Sequence, residues 1–455
     1  MQKFLSKYAL AAHLALLAVA PLVLFPFFGP GETAVVLMWM SLMTVFWLFL
    51  EPSRRVNEYL YNARRRVFKA AFSDPIFWLF LLFVAIAVIR WLNAGISLVF
   101  DLSGDEWNWV VTTPQIPWLP GSSGDAGFYA LSTLLAVMTA ILTCRHALGK
   151  SARTMVVFLS SFFAAIAALV AIYKSGADGI ADNSFAGSAF GIFFLASIAA
   201  LAGMFEARWN KAFLLFSFAI GGTFIGLWYF APSFVIAFYL IAGAVLALFS
   251  AVYVAVAKGV SAFFKFIVAF IIAAAIPMTI IKMYAPAELI EAKAAVLTFD
   301  LFGAGYFETR QMYVDIAGGV WRDGNIWHGG GLGYLSLFIE KTMVESAWAS
   351  AIPHGWWQLL AERGFIGLGM FVLPFAVLVF ILIRRLVASE LKRVFWPFLI
   401  LGVFVVSVVI GEGFFDVSFM TPEVLIPSAA LLALSVSAIP PKRTDKDKIN
   451  NSGKL

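Results

Sequence analysis

Few residues in this chain are equipped for chemistry, and its four histidines are the natural place to begin. His13 lies inside an apolar run and His146 follows Arg145 at the end of another, so both read as structural. His328 adjoins Gly329-Gly330-Gly331, where backbone freedom is useful but not diagnostic. His354 precedes Gly355-Trp356-Trp357-Gln358-Leu359-Leu360-Ala361-Glu362-Arg363-Gly364, which runs straight into an apolar block. A histidine there sits at a membrane surface, either facing a lipid headgroup or serving as an interfacial cap. Imidazole titrates near neutrality, so in the first case it suits a general base.

Cations form the second group. Arg310, Arg322 and Arg363 are the arginines of the stretch from Ala285 to Arg363. Guanidinium stays charged and grips phosphate oxygens with paired donors, whereas the ordinary use of a loop arginine is a solvated charge or an aromatic partner. Arg90 follows the apolar run Leu79 to Ile89; an arginine at that depth is costly unless it faces a polar cavity or snorkels. Lys174 and Lys282 end two further apolar runs, as alternative anion partners or interface anchors. Trp321, Trp327, Trp348, Trp356 and Trp357 could stack on sugar faces or form an interfacial aromatic belt.

Other chemistries lack their residues. The outer stretch has no His-x-x-x-His, no cysteine cluster and no carboxylate pair at metal-ligand spacing, so no metal is expected. The Gly-x-Ser-x-Gly elbow of serine hydrolases is missing. Gly330-Gly331-Leu332-Gly333 follows no strand of a βαβ unit, so no nucleotide cofactor is expected.

The elements that must position these residues are membrane spans. Hydrophobic residues make up 62% of the chain and charged residues 13%, against about 25% charged in soluble domains. The apolar residues come in blocks long enough to cross roughly 30 Å of hydrocarbon, and they lack the alternation of a β-barrel. Spans are predicted to start near Tyr8, Thr33, Ile76, Phe128, Thr154, Ser188, Ala212, Phe234, Phe266, Gly364, Val394 and Pro422. Ala231-Pro232-Ser233 divides a stretch too long for one span. The expected fold is therefore an all-α polytopic membrane protein of about twelve transmembrane helices.

Charge placement supports that count. Arg54, Arg55, Arg64–Arg66 and Lys69, then Arg145, Lys150 and Arg153, then Arg208 and Lys211, Lys258 and Lys265, then Arg384, Arg385, Lys392 and Arg393, and the tail with Lys442, Arg443, Lys446 and Lys448 all fall on one side. The acidic segment from Asp101 to Gly127, without Lys or Arg, falls on the other. This is the positive-inside pattern, and it explains the net charge of +6 without invoking nucleic acid. The organisation expected is helices 1–9 over residues 1–284, a large helical extracytoplasmic segment over 285–363, helices 10–12 over 364–439, and a cytoplasmic tail over 440–455. The first apolar run reads as a span rather than a cleaved leader.

Three pieces of the chain resemble the O-antigen ligase and Wzy-type polymerase superfamily of bacterial envelope glycosyltransferases. They are Asn183-Ser184-Phe185-Ala186-Gly187; Arg310 with the later Gly330-Gly331-Leu332-Gly333; and His354 with Glu362-Arg363-Gly364-Phe365-Ile366-Gly367, similar to that family's His-Asn, leucine-rich, Glu-x-Gly-x-x-Gly signature. Gly355 stands where the family usually has Asn. Ser233-Phe234 stands where Ser-Arg-Gly is common, leaving Arg90, Lys174 or Lys282 to replace a missing cation. The resemblance implies a metal-independent, inverting transfer of a glycan from undecaprenyl diphosphate to an acceptor hydroxyl. The active site would lie on the periplasmic face of the bacterial inner membrane. It assigns Arg310 to the diphosphate and His354 to the base or to acceptor positioning. Arg322, Arg363, Trp356 and Trp357 are further candidates for contacting diphosphate or glycan. The competing expectation is a transporter or a flippase of lipid-linked oligosaccharide; paired broken helices and repeats, which transporters favour, are not visible in the sequence.

Overall fold

A computed structural model describes residues 2–24, 30–49, 58–93, 96–101, 106–111, 116, 119, 124–175, 184–207, 212–285, 289–291, 293, 296, 306–323, 325–331, 355–388, 395–414 and 420–438. The apolar blocks are helices, as they must be where no water can satisfy the backbone. In chain order they are α1 (Gln2–Leu24), α2 (Pro30–Phe49), the amphipathic α3 (Glu58–Ala71) and α4 (Pro75–Leu92). There follow α5 (Gly124–His146), α6 (Lys150–Ser175), α7 (Ser184–Ala207), α8 (Phe213–Phe230), α9 (Ser233–Lys258) and α10 (Val260–Tyr284). The last four are α11 (Tyr306–Asp323), α12 (Gly355–Ala388), α13 (Trp396–Gly413) and α14 (Pro422–Ala438). Among the described residues nine helices, α4 to α10, α12 and α13, are long and apolar enough to cross a membrane, and α1, α2 and α14 contain shorter apolar stretches. The chain is a multi-pass helical membrane protein.

The strands among the described residues are β1 (Ile96–Asp101) and β2 (Glu106–Val111), an antiparallel hairpin paired from Ile96↔Val111 to Asp101↔Glu106. It lies in the connection between α4 and α5. The proline expected to divide the long stretch does so: α8 ends at Phe230 and α9 starts after Pro232.

α7 is the centre of the molecule, with every residue of its apolar stretch Ala186–Phe205 buried. Its small residues let neighbours close in, as helix interfaces in lipid require. A Cβ at Gly187 would overlap the Ala231 backbone, and one at Gly191 would overlap the ring of Tyr239 on α9. The glycine of Asn183-Ser-Phe-Ala-Gly187 thus seats the α8–α9 corner against α7.

Polar bonds sort the helix ends into two layers. In one layer Asp74, 4% exposed, caps α4 and takes Arg145 at 2.5 Å and His146 at 2.8 Å from α5. In the same layer Arg66 of α3 donates to the Ala147 carbonyl (2.8 Å), Arg385 of α12 to Val436 (2.9 Å), and Arg153 of α6 to Ser437. These are cations on helix C-termini, where unpaired carbonyls and the dipole favour them. In the other layer Asn93 ties the end of α4 to Ile116 and Leu119, and buried Lys293 donates to the Ala231 carbonyl at 2.6 Å. The chemistry-bearing residues described next belong to this second layer.

Candidate functional site

The site is built around a break in α12. At Gly364 the helix adopts φ 62° and ψ −165°, a backbone state that strongly favours glycine. A break in a helix orphans carbonyls before it and N–H groups after it. Here the segment 325–331 supplies partners for both. Gly330 and Gly331 donate to the carbonyls of Ala361 (2.8 Å) and Glu362 (3.0 Å), while Phe365 and Ile366 donate to those of Ile326 (3.1 Å) and Trp327 (3.0 Å). The result is a four-bond clasp between a loop and a broken helix.

Sequence chemistry explains why this loop fits. Asn325 Oδ1 accepts from the N–H groups of Trp327 and His328 at 3.0 and 3.1 Å, an Asx-type turn. Gly329 follows at φ 70°. A Cβ there would come within 2.5 Å of the backbone at Glu362 and Arg363, and one at Gly364 would come within 2.5 Å of the Trp327 carbonyl and 2.6 Å of Gly329 N. Gly367 has a different task, since a Cβ there would overlap the stem of Arg363. Both glycines of Glu362-Arg363-Gly364-Phe365-Ile366-Gly367 therefore have a steric reason to be glycine.

Arg90 reaches this clasp from the end of α4. It is 6% exposed and turned inward rather than snorkelling, with Nη2 donating to the His328 carbonyl at 3.2 Å and lying 3.4 Å from His328 Nδ1. Arg363, half-buried, lies close enough to Arg90 for the two charges to repel and next to buried Glu362. Burial, and secondarily the charge of Arg90, hold the His328 imidazole below its usual range, so it is neutral at pH 7. His328 is the residue that the sequence undervalued; its signal was the run of glycines, which marks a close backbone approach.

α11 packs across the short first part of α12, Gly355 to Arg363, through Ala317, Val320, Ala361 and Trp357. Trp321 donates to the Ile326 carbonyl at 3.1 Å and sets its ring edge-on to Trp357 and Phe365. Arg322 is exposed and bonds back to Gly318 of its own helix at 3.0 Å. Lys174 and Lys282 are exposed at the ends of α6 and α10, and His354 lies outside the described residues.

Arg310 goes elsewhere. From α11 it donates to the carbonyl of Phe414, at the C-terminus of α13. Trp356 joins it there, donating to the Ile410 carbonyl at 3.4 Å with its ring against Phe371 and Phe414. Beneath Trp356 and Phe414 opens a cavity of about 600 Å³ between α12, α13 and α14. Its walls are Phe371, Phe375, Val379 and Ile383 of α12 and Val405, Val409 and Ile410 of α13, with Ser428 as its one hydroxyl; that hydroxyl is bonded to the Val424 carbonyl at 2.6 Å. The arrangement is an apolar slot that runs about 18 Å along α12 from Phe371 to Ile383, with a cation at the rim where Phe414 lines it. Among the described residues no three His, Cys, Asp or Glu side chains gather as a metal would need. No protein-family model matches the sequence, and no curated protein matches it either.

Proposed function

We propose that the chain is a membrane glycosyltransferase that moves a glycan from a polyprenyl diphosphate, undecaprenyl diphosphate in a bacterial inner membrane, to an acceptor hydroxyl on the periplasmic side. The observation that carries this reading is the apolar cavity with Arg310 at its rim. An amphiphile with a hydrocarbon tail and an anionic head matches both parts, and the volume lies within the usual range for ligand sites, about 300–1,000 Å³. The resemblance carried by Arg310, His354 and Glu362-Arg363-Gly364-Phe365-Ile366-Gly367 supports the same reaction class.

The chemistry follows from the leaving group. The acceptor oxygen attacks the anomeric carbon, the bond from that carbon to the diphosphate oxygen breaks, and the configuration inverts. Negative charge develops on the diphosphate, where Arg310 stabilises it. The proton of the acceptor hydroxyl passes to a base, the role the resemblance gives His354.

The break in α12 lends some support to a flippase or transporter, since such proteins bind substrates at interrupted helices. That break lies near the outer end of α12 rather than at its middle, and its orphaned backbone groups are already bonded to the 325–331 loop. Purified protein in detergent, given a polyprenyl-diphosphate-linked glycan and its acceptor, should form the glycosidic product, because transfer needs no sealed bilayer. Substrate movement in vesicles with no product in detergent would sink the enzyme reading.

A further inference from the structure

The amphipathic helix α3 takes no part in the proposed reaction, yet its residues are sorted by face. Ala63, Val67 and Ala71 are buried, a single stripe at i, i+4 spacing. Going round the helix from that stripe, Phe68 and Phe72 stand on one flank, and Arg65 and Lys69 on the adjoining side that faces away from the core. All four of these side chains are exposed, Phe72 by 56%. Arg66, on the opposite flank, pins the helix through its bond to the Ala147 carbonyl at 2.8 Å.

The aromatic flank continues onto α4. The Phe72 ring lies 5.3 Å from that of Phe68, 5.9 Å from Phe77 and 6.4 Å from Trp78, the last two in the first turn of α4. The Trp78 indole N–H donates to the Phe72 carbonyl at 3.1 Å, which locks the corner between the two helices. Trp78 is 51% exposed, and Leu81 and Leu82 beyond it are exposed too. α4 is long and apolar enough to cross the membrane, and only 22% of that stretch is buried among the other helices. Its exposed side therefore meets lipid. Phe68, Phe72 and Trp78 extend the same apolar surface onto α3, so the edge of the hydrocarbon reaches that helix. A helix with one flank immersed and basic residues beside it lies in the plane of the interface. The heads of Arg65 and Lys69 then stand at the depth of lipid phosphates. At i, i+4 they are neighbours on the helix surface, so one phosphate reaches both.

We infer that α3 is an interfacial helix that takes the headgroup of an anionic phospholipid, with Arg65 and Lys69 on the phosphate and Phe68, Phe72 and Trp78 against the acyl chains. Charge selects the lipid: the choline of phosphatidylcholine cancels the attraction to two cations, whereas phosphatidylglycerol carries no such counter-charge. A soluble acidic protein could meet the cations, but it would leave the aromatic flank in water. The inference stands apart from glycan transfer and needs only the geometry of α3 and α4.

The test places a bimane on Phe72→Cys in the full chain, where a small apolar ring replaces the phenyl and the native Cys144 is buried. The protein is reconstituted in phosphatidylcholine vesicles with a minor share of either phosphatidylcholine or phosphatidylglycerol brominated on its acyl chains, which quenches bimane on contact. Both lipids should quench, and phosphatidylglycerol should be enriched around the probe at least about fivefold, as expected of a single cation near a membrane surface. Arg65→Gln combined with Lys69→Gln should bring phosphatidylglycerol down to the level of phosphatidylcholine. Quenching by phosphatidylcholine should stay unchanged in that variant, which reports that α3 is still seated, and Arg65→Lys should keep the preference. Absence of quenching by either lipid puts α3 in water, as a soluble partner on this face requires, and overturns the inference. Equal quenching by the two lipids in the protein with Arg65 and Lys69 intact, or a preference that survives loss of both cations, overturns the headgroup assignment.

Discussion

Arg310 and Arg90 are both cations of the same layer, yet each donates to a different carbonyl. If Arg310 neutralises the diphosphate, Arg310→Ala should lower donor affinity and turnover together. Arg310→Lys should rescue only part of either, because an ammonium replaces a fork with a point charge. His354→Ala should instead remove turnover by about 10²–10⁴ while donor binding survives, the usual worth of general-base assistance. Donor affinity measured beside turnover separates the two roles, and near-normal turnover in His354→Ala would end the base assignment. His328 makes a prediction of its own through pH. Its pKa is lowered in the folded protein from 6.5 by burial first and Arg90 second; Arg90 and Arg363 oppose its protonation and Glu362 favours it. The unfolded chain therefore takes up this proton at a higher pH than the folded one, so stability falls as pH drops through about 6.5 and levels off below the folded value. Melting temperatures between about pH 7.5 and 5.5 should fall less steeply for His328→Gln than for the wild type. Parallel curves would show that the His328 ring is neither buried nor set against Arg90 in solution.

At the scale of elements, the clasp between the 325–331 loop and α12 decides whether the site exists. Gly364→Ala puts a Cβ within 2.5 Å of the Trp327 carbonyl at a φ of 62°. A residue with a Cβ held in that glycine-only backbone region costs about 1–3 kcal/mol, and relieving the overlap must separate the loop from the helix. Amide exchange at Gly330, Gly331, Phe365 and Ile366 should then rise and transfer should fall more than about tenfold, as expected when positioned groups shift by an ångström. Gly369→Ala is the control, since a Cβ there meets nothing within 4 Å; matching losses in both variants would remove the clasp from the argument. The start of a span near Gly364 was legible in the sequence because the apolar block begins there. That α12 begins nine residues earlier, at Gly355, and breaks at Gly364 was not. The clasp consists of backbone bonds between segments far apart in sequence, and such bonds leave no side-chain pattern beyond glycines at Gly329 and Gly364. Arg90 was open to two readings for the same reason: its partner, His328, lies 238 residues away. By contrast, the α8–α9 corner could be read directly, because Pro232 removes a backbone donor in the middle of an apolar stretch too long for one span.

The whole molecule joins these layers to a membrane orientation, and the two kinds of observation are independent. Bonds such as Arg145 to Asp74, Arg385 to Val436 and Arg153 to Ser437 gather one set of helix ends, while Arg90 to His328, Arg310 to Phe414 and Lys293 to Ala231 gather the other. These bonds say which ends lie together, not which layer faces the cytoplasm. Charge makes that choice, because short loops rich in Lys and Arg are retained inside. The α3 segment, with Arg64, Arg65, Arg66 and Lys69, bonds to the end of α5, and the positive-inside rule would put that layer on the cytoplasmic side. The short helical piece around Glu291 shares its layer with Lys293 and the α8–α9 corner, which the same rule would put on the opposite side. Arg65 and Glu291 are both exposed, and the native Cys144 is buried, so single cysteines at these two positions can be read against a low background. A membrane-impermeant maleimide should label Glu291→Cys in intact spheroplasts and Arg65→Cys only after permeabilisation. The twelve-span arrangement requires this, since the seven helices α4 to α10 lie between α3 and the piece around Glu291, and if each crosses once the count between Arg65 and Glu291 is odd. Labelling of both cysteines from the same side would make that count even, and would move either Arg310 and the clasp or the arginine-capped layer to the wrong face of the membrane.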